Sequence, residues 1–277
     1  MLRYLLCSLA FLSVTGCTIT IQTPNVKTNS SSKIPTPKLN ASSEETISLT
    51  GVTNMRIAAP LKVTITEDTA AEAVLRVPAE VRERLQVRTT QGRDFEISTS
   101  DGFCTRSGAS LFGTGSTIIV NGTVVTDCLA TDTELTLEIS SALLQNLTLS
   151  NAVEVELNEL DEENFVLRAS GASEVEFKNT RNIETLLLDL SGASSVQASE
   201  TTSTVERIQI EASGASEVDL TNIPAKQVTV DISGASDVAV RNEQPVSGQA
   251  SGASSLILTG NPNHRVRTSG ASDVSYR

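Results

Sequence analysis

In the C-terminal part of the chain the tetrapeptide Ser-Gly-Ala-Ser begins at Ser170, Ser191, Ser213, Ser233, Ser251 and Ser269, at intervals of 21, 22, 20, 18 and 18 residues; an isolated copy at Ser107 lacks the flanking columns. A phrase returning at such a period marks one supersecondary unit stacked on copies of itself. Aligning the copies exposes columns. Five places before the first Ser stand Phe165, Leu186, Ile208, Val228, Val246 and His264; three before stand Leu167, Leu188, Ile210, Val230, Gly248 and Val266. One place before come Ala169, Leu190, Ala212, Ile232, Ala250 and Thr268. Apolar residues spaced by two are the mark of a strand with one buried face. After the tetrapeptide the alternation resumes, with Val175, Val196, Val218, Val238, Leu256 and Val274 in one column and Phe177, Ala198, Leu220, Val240, Leu258 and Tyr276 in the next. Each repeat therefore holds two short strands joined at Gly-Ala, where Gly permits backbone angles closed to other residues and Ala suits a cramped corner.

One such strand pair cannot bury its apolar face alone, so neighbouring copies must stack, each column becoming a ladder of like side chains. The expectation is an all-β fold, a β-solenoid with 18–22 residues per repeat. At a rung spacing of about 4.8 Å, six copies make a rod about 30 Å long. A degenerate copy precedes them: Leu147 and Leu149 lead into Ser150-Asn151-Ala152-Val153, followed by Val155 and Leu157. A β-sandwich with evenly spaced strands is the competing architecture, but sandwich strands need not share a phrase. Trp is absent and aromatics are only 3% of residues, so the core must be thin and aliphatic.

Residues 1–16 read as a signal peptide: Arg3 gives a basic start, Leu5 to Leu12 an apolar stretch, and Val14-Thr15-Gly16 leads to Cys17. That ending resembles the lipobox of bacterial lipoproteins, in which the Cys becomes the lipidated first residue. The apolar run is too short to span a membrane as a helix. Thr18 stands where an inner-membrane retention signal would carry Asp, so the resemblance implies an outer-membrane lipoprotein held to the membrane by its N-terminal lipid. Residues 17–45, rich in Ser, Thr, Asn, Pro and Lys, read as a disordered tether.

Residues 46–140 contain strands without the tetrapeptide, over 47–49, 61–65, 73–77, 85–88 and 95–98, with one or two helical turns in 79–85 and a new alternation at Leu135, Leu137 and Ile139. This region is expected to cap the solenoid 141–277 and continue its sheet. Within it, residues 100–130 form a Cys-bounded insertion. Cys104 and Cys128 are the pair left once the signal and the lipidated Cys are set aside, and an oxidising compartment favours their disulfide. Between them Asn121-Gly122 separates two β-rich arms, a hairpin signal. The bridge would close a loop of about 25 residues, worth ~3 kcal/mol in the chain-entropy model.

The run ISLTGVTNMRIAAPLKVTITED, then LQVRTTQGRDFEIST, then LTLEISSALLQNLTLSNAVEVEL and the SGAS series resembles the bacterial envelope family called putative autotransporter adhesin, head GIN domain. The likeness covers about residues 46–277. It implies a right-handed parallel β-helix, often secreted or lipid-anchored, and supplies no catalytic residues. The Cys104–Cys128 excursion is an insertion relative to the family pattern.

No catalytic constellation emerges from the residues themselves. His264, the only histidine, falls in an apolar column and reads as a rung substitution; no Ser sits in a GxSxG elbow, and Gly108, Gly113 and Gly115 lack the Lys of a phosphate-binding loop. No cofactor or metal site is expected. Two cysteines without nearby histidines do not make a zinc centre.

The outward columns carry charge. Two places before the first Ser stand Arg168, Asp189, Glu211, Asp231, Gln249 and Arg267; on the second strand stand Glu174, Ser195, Glu217, Asp237, Ser255 and Asp273. Asp189, Glu211 and Asp231 should stack on consecutive rungs, joined by the pair Glu217 and Asp237, as an acidic ladder. Like charges about 4.8 Å apart in water repel by about 0.9 kcal/mol before screening. Such a row could attract calcium or a cationic polymer, although charged strand exteriors also simply deter aggregation.

The formal charge of −12 becomes −13 once Arg3 leaves, which excludes nucleic acid as a partner. Phe and Tyr total eight, so no aromatic platform for sugars is signposted. Three functions remain: a tethered adhesin or matrix-binding module, a periplasmic structural or regulatory scaffold binding another envelope protein, and, least favoured, a polysaccharide-degrading enzyme. The expected partner is an envelope protein or an extracellular polymer; the sequence sets no oligomeric state.

Overall fold

The computed structural model describes residues 42–90, 93–99, 118–120, 123–125, 135–141, 143–199 and 204–277. The chain runs through β1 (Ser42–Ser48), β2 (Asn54–Ala58), β3 (Lys62–Thr66), β4 (Glu72–Pro78), a one-turn α1 (Ala79–Arg82), β5 (Leu85–Thr90) and β6 (Asp94–Thr99). After β7 (Ile118–Val120), β8 (Thr123–Val125) and β9 (Thr136–Ser140) come β10 (Asn146–Leu149), β11 (Glu154–Leu157), β12 (Leu160–Asp161), β13 (Asn164–Ala169), β14 (Glu174–Phe177) and β15 (Thr180–Arg181). Then follow β16 (Thr185–Leu190), β17 (Ser195–Ala198), β18 (Val205–Ala212), β19 (Glu217–Ile232), β20 (Asp237–Asn242), β21 (Val246–Ala250), β22 (Ser255–Gly260), β23 (His264–Thr268) and β24 (Asp273–Tyr276).

The repeated strands pair in parallel, which decides for the solenoid against the sandwich. One wall, called A here, runs β6, β2, β10, β13, β16, β18, the second half of β19, β21 and β23. Wall B runs β9, β3, β11, β14, β17, the first half of β19, β20, β22 and β24. A short third ladder pairs β12 with β15. The sequence columns coincide with the register: Val175, Val196, Val218 and Val238 face one another in succession, and all four are buried. Size is complementary down the core. Phe177 lies between Leu157 and Ala198 in register, and its ring meets that of Phe165 edge-on at 6.1 Å.

Coil order departs from chain order at the N-terminal end. The β2/β3 coil lies between β10/β11 and β6/β9, and the chain then covers the stack with reversed strands: β4 pairs antiparallel with β9, β1 with β4, and β5 with β6. This capping matches the expectation that an uncovered end would expose core. β2 is a strand missing from the sequence reading: Met55 and Ile57 do alternate around Arg56, but the alternation is only one period long. β1 begins at Ser42, inside the stretch whose composition reads as tether. Its Glu44 and Glu45 are ion-paired to Arg76 and Arg82 of the cap.

Each residue of the corner phrase has a distinct duty. The glycines hold φ between 74° and 83°, and each Ala N–H donates at 2.7 Å to the corner carbonyl of the preceding coil, Asn151 for Ala172 and a Gly for the others, as from Ala193 to Gly171. A Cβ on Gly192 would lie 2.6 Å from that Gly171 oxygen, so both the angle and the close approach demand glycine. Asn151 takes the same left-handed angle, φ 74°, in the degenerate copy, and its side-chain amide donates to the Ala58 carbonyl at 3.0 Å. The fourth residue, Ser, is buried in every copy but the last, and its hydroxyl donates back to the carbonyl of the first, as from Ser194 to Ser191 at 2.9 Å. The alanines correct the sequence expectation: Ala172, Ala193, Ala215, Ala235 and Ala253 are exposed, so the crowding is at the glycine.

Candidate functional site

Outward side chains on a solenoid wall inherit the register of the coils, so residues 18–22 apart in sequence become neighbours. On wall A the row Arg168, Asp189, Glu211, Asp231, Gln249 and Arg267 is continuous. Asp189, Glu211 and Asp231 therefore occupy consecutive rungs, all exposed. Glu217 and Asp237 are register partners too, but on wall B, flanked by Ser195 and Ser255. The five acidic residues are thus divided between two walls.

Two side-chain amides answer the charge on wall A. Gln209 Nε2 donates to Glu211 Oε1 at 3.1 Å, and Gln249 Nε2 donates to Asp231 Oδ2 at 2.8 Å. Among the described residues no group of acidic, His and Cys side chains has the arrangement to hold a metal ion. His264 sits in the interior column of the β23/β24 coil, half-buried, with its ring 6.1 Å from that of Tyr276 and its Nδ1 accepting the Val266 N–H at 3.3 Å. Cys17, Cys104 and Cys128 lie outside the described residues. β7 and β8 pair antiparallel, Ile118 opposite Val125.

Wall A also carries a groove of about 450 Å³, which the sequence alone did not disclose. Glu211 and Asp231 line one side and Arg265 and Arg267 the other, with Gln209, Thr229 and Gln249 around them. Gly248 lies between these rungs. It interrupts the column that elsewhere holds Leu188, Ile210, Val230 and Val266, and its φ of 137° lies outside the usual range for side-chain-bearing residues. A Cβ there would collide with the Val230 carbonyl oxygen. The sequence signal was this glycine in an aliphatic column, together with the change from acid to Arg along the outward row.

A second acidic group lies at the corner after β3 and β12. Burial raises the Glu67 carboxyl above the ordinary carboxylate range, reinforced by Asp161. Glu162 is raised in the same way, by burial first and then by Glu67, Asp161 and Glu163. By contrast, hydrogen bonds from Lys178 and Ser199 lower the Glu176 carboxyl.

Comparisons with known proteins agree with this geometry. The fold matches a putative adhesin from Bacteroides fragilis with a TM-score of 0.70 at 13% identity, over 86% of this chain and 98% of that one. A putative lipid binding protein from Parabacteroides distasonis matches with a TM-score of 0.58 at 13% identity, over 86% and 97%. A putative adhesin from Parabacteroides merdae matches with a TM-score of 0.57 at 10% identity, over 86% and 97%. At these identities the likeness establishes fold. No curated relative matches the chain. The model of one family, described as putative auto-transporter adhesin, head GIN domain, matches residues 53–262, most of the folded part, and the chain belongs to that family.

Proposed function

We propose that this protein is a non-catalytic adhesin of the cell envelope, anchored to the outer membrane through a lipid on Cys17, whose solenoid presents wall A to an extracellular polymer or partner. The observation that carries the reading is the grooved, charge-patterned wall A built on parallel strands in continuous register. A rigid scaffold holds its binding groups at fixed spacing, which lowers the ordering cost of association. A tether ending before β1 at Ser42 would hold the folded part clear of the lipid headgroups, and a Cys104–Cys128 disulfide would staple the inserted hairpin.

Deletion of the gene should reduce attachment of whole cells to matrix-coated surfaces, and protease added to intact cells should remove the solenoid. Unchanged attachment would overturn the reading. A periplasmic scaffold is the second reading, favoured by β23 and β24, which each pair on one side only among the described residues and could accept a partner strand. It predicts that the solenoid survives protease treatment until the outer membrane is opened. Two substitutions test the attachments themselves. Cys17→Ser should abolish incorporation of labelled fatty acid, and Cys104→Ser should add one reactive thiol, on Cys128, to a mature protein that otherwise shows none.

A further inference from the structure

The groove on wall A has two chemically opposite banks. Glu211 and Asp231 are register partners on neighbouring rungs, while Arg265 and Arg267 project from the same face of β23 and are exposed. Neither arginine has a carboxylate partner among the described residues, in a chain of net charge −12. Asp231 and Arg267 lie in one outward row, separated by the single rung of Gln249. That places anionic and cationic banks two rungs apart, about 10 Å along the solenoid axis.

The groove offers no apolar anchor: Ile210 and Val230 line it, but both side chains are buried in the core. Its inner strands are paired on both sides at Thr229 and Ser247, so a peptide could join as an added strand only beyond β23, outside the space between the two banks. What remains is a line of carboxylate, amide, hydroxyl and guanidinium groups repeated at the rung spacing. Such groups suit the hydroxyls of a chain of sugars laid along the axis, and a disaccharide repeat advances by a distance comparable to two rungs.

We propose that this groove binds a zwitterionic polysaccharide, its amino sugar against Glu211 and Asp231 and its acidic sugar against Arg265 and Arg267. This rests on the adhesin reading and names its ligand class.

Three hexasaccharides of related backbone separate the charges: hyaluronan, which is anionic; its de-N-acetylated form, which is zwitterionic; and chitosan, which is cationic. Titration calorimetry of the folded wild-type protein at low salt should show the zwitterionic chain binding about tenfold more tightly than either other, two exposed charge contacts being lost in each comparison. Arg265→Gln with Arg267→Gln should erase its advantage over chitosan. Glu211→Gln with Asp231→Asn should erase its advantage over hyaluronan. All four side chains are exposed, and unchanged thermal melting would show that the variants fold. Equal binding of the three sugars, or an affinity indifferent to both double variants, overturns the proposal. So does tighter binding of a Lys-Gly-Gly-Glu peptide, which would assign the groove to a protein partner. If cells attach normally but the purified protein binds none of the sugars, the proposal fails while the adhesin reading stands.

Discussion

Gly192 and Ser194 stabilise the same corner by different physics, so their substitutions should separate in magnitude. Gly192→Ala forces a side chain into a left-handed angle, φ 77°, and against the backbone of the preceding coil; it should cost about 3 kcal/mol. Ser194→Ala leaves the backbone alone and removes one buried hydroxyl-to-carbonyl bond, which should cost about 1 kcal/mol, or about 2–4 °C in Tm for a domain of this size. Thermal melts of the two variants check the order, and equal losses would show that the corner tolerates a Cβ. The acidic corner gives a pH-dependent counterpart. Glu67 and Glu162 bind protons more tightly when folded, so their effect favours folding below the ordinary carboxyl pKa and is lost as pH rises through their raised values. Glu67→Gln with Glu162→Gln should therefore raise Tm at pH 7 and make little difference at pH 4, as melts at both pH values would show. Glu45 and Glu176 work in the opposite sense. Hydrogen bonds from Arg82 and from Lys178 with Ser199 lower their carboxyls, so their stabilisation is present at neutral pH and disappears as pH falls through those lowered values.

The strand is the unit that the sequence revealed best, because stacking forces like residues into columns and the Gly-Ala corner fixes where each column starts. Val218 shows the result, facing Val196 and Val238 with 1% of its surface exposed. Val218→Ala should open a cavity between two neighbouring coils and cost ~2–3 kcal/mol, measured by denaturant unfolding. A loss near zero would mean that the coils collapse around the missing methyls. Elements outside the repeat were less legible, for identifiable reasons. β2 alternates over only one period, Met55 and Ile57 around Arg56, and β1 is held partly by ion pairs from residues that read as solvated. The coil order at the N-terminal end is a tertiary choice that no local pattern encodes. The acidic row was readable from the columns, but its groove was not, since the missing side chain at Gly248 shapes a surface only once the coils are stacked.

Across the whole molecule, each coil touches chiefly the coils before and after it, so stability should follow the stack more than the chain. The two ends differ. At one, β4 closes wall B over β9, β1 covers β4, and the inward residues Leu137, Ile139, Leu75 and Val77 are all buried. At the other, the β23/β24 coil is paired on one side among the described residues, Val266 and Val274 are only half-buried, and Tyr276 is 50% exposed. Fewer buried contacts and one-sided pairing define the low-stability end of a structure, where local opening requires the least free energy. Native-state hydrogen exchange should thus find the β23 and β24 amides exchanging first, followed by β21 and β22, while the coils from β10 to β18 open only with global unfolding. The destabilised Val218→Ala variant should bring the middle coils closer to that early group and leave β4 and β9 slow. Uniform protection from β9 to β24 would instead mean that the walls unfold as one cooperative body, and the nearest-neighbour account of this solenoid would have to be abandoned.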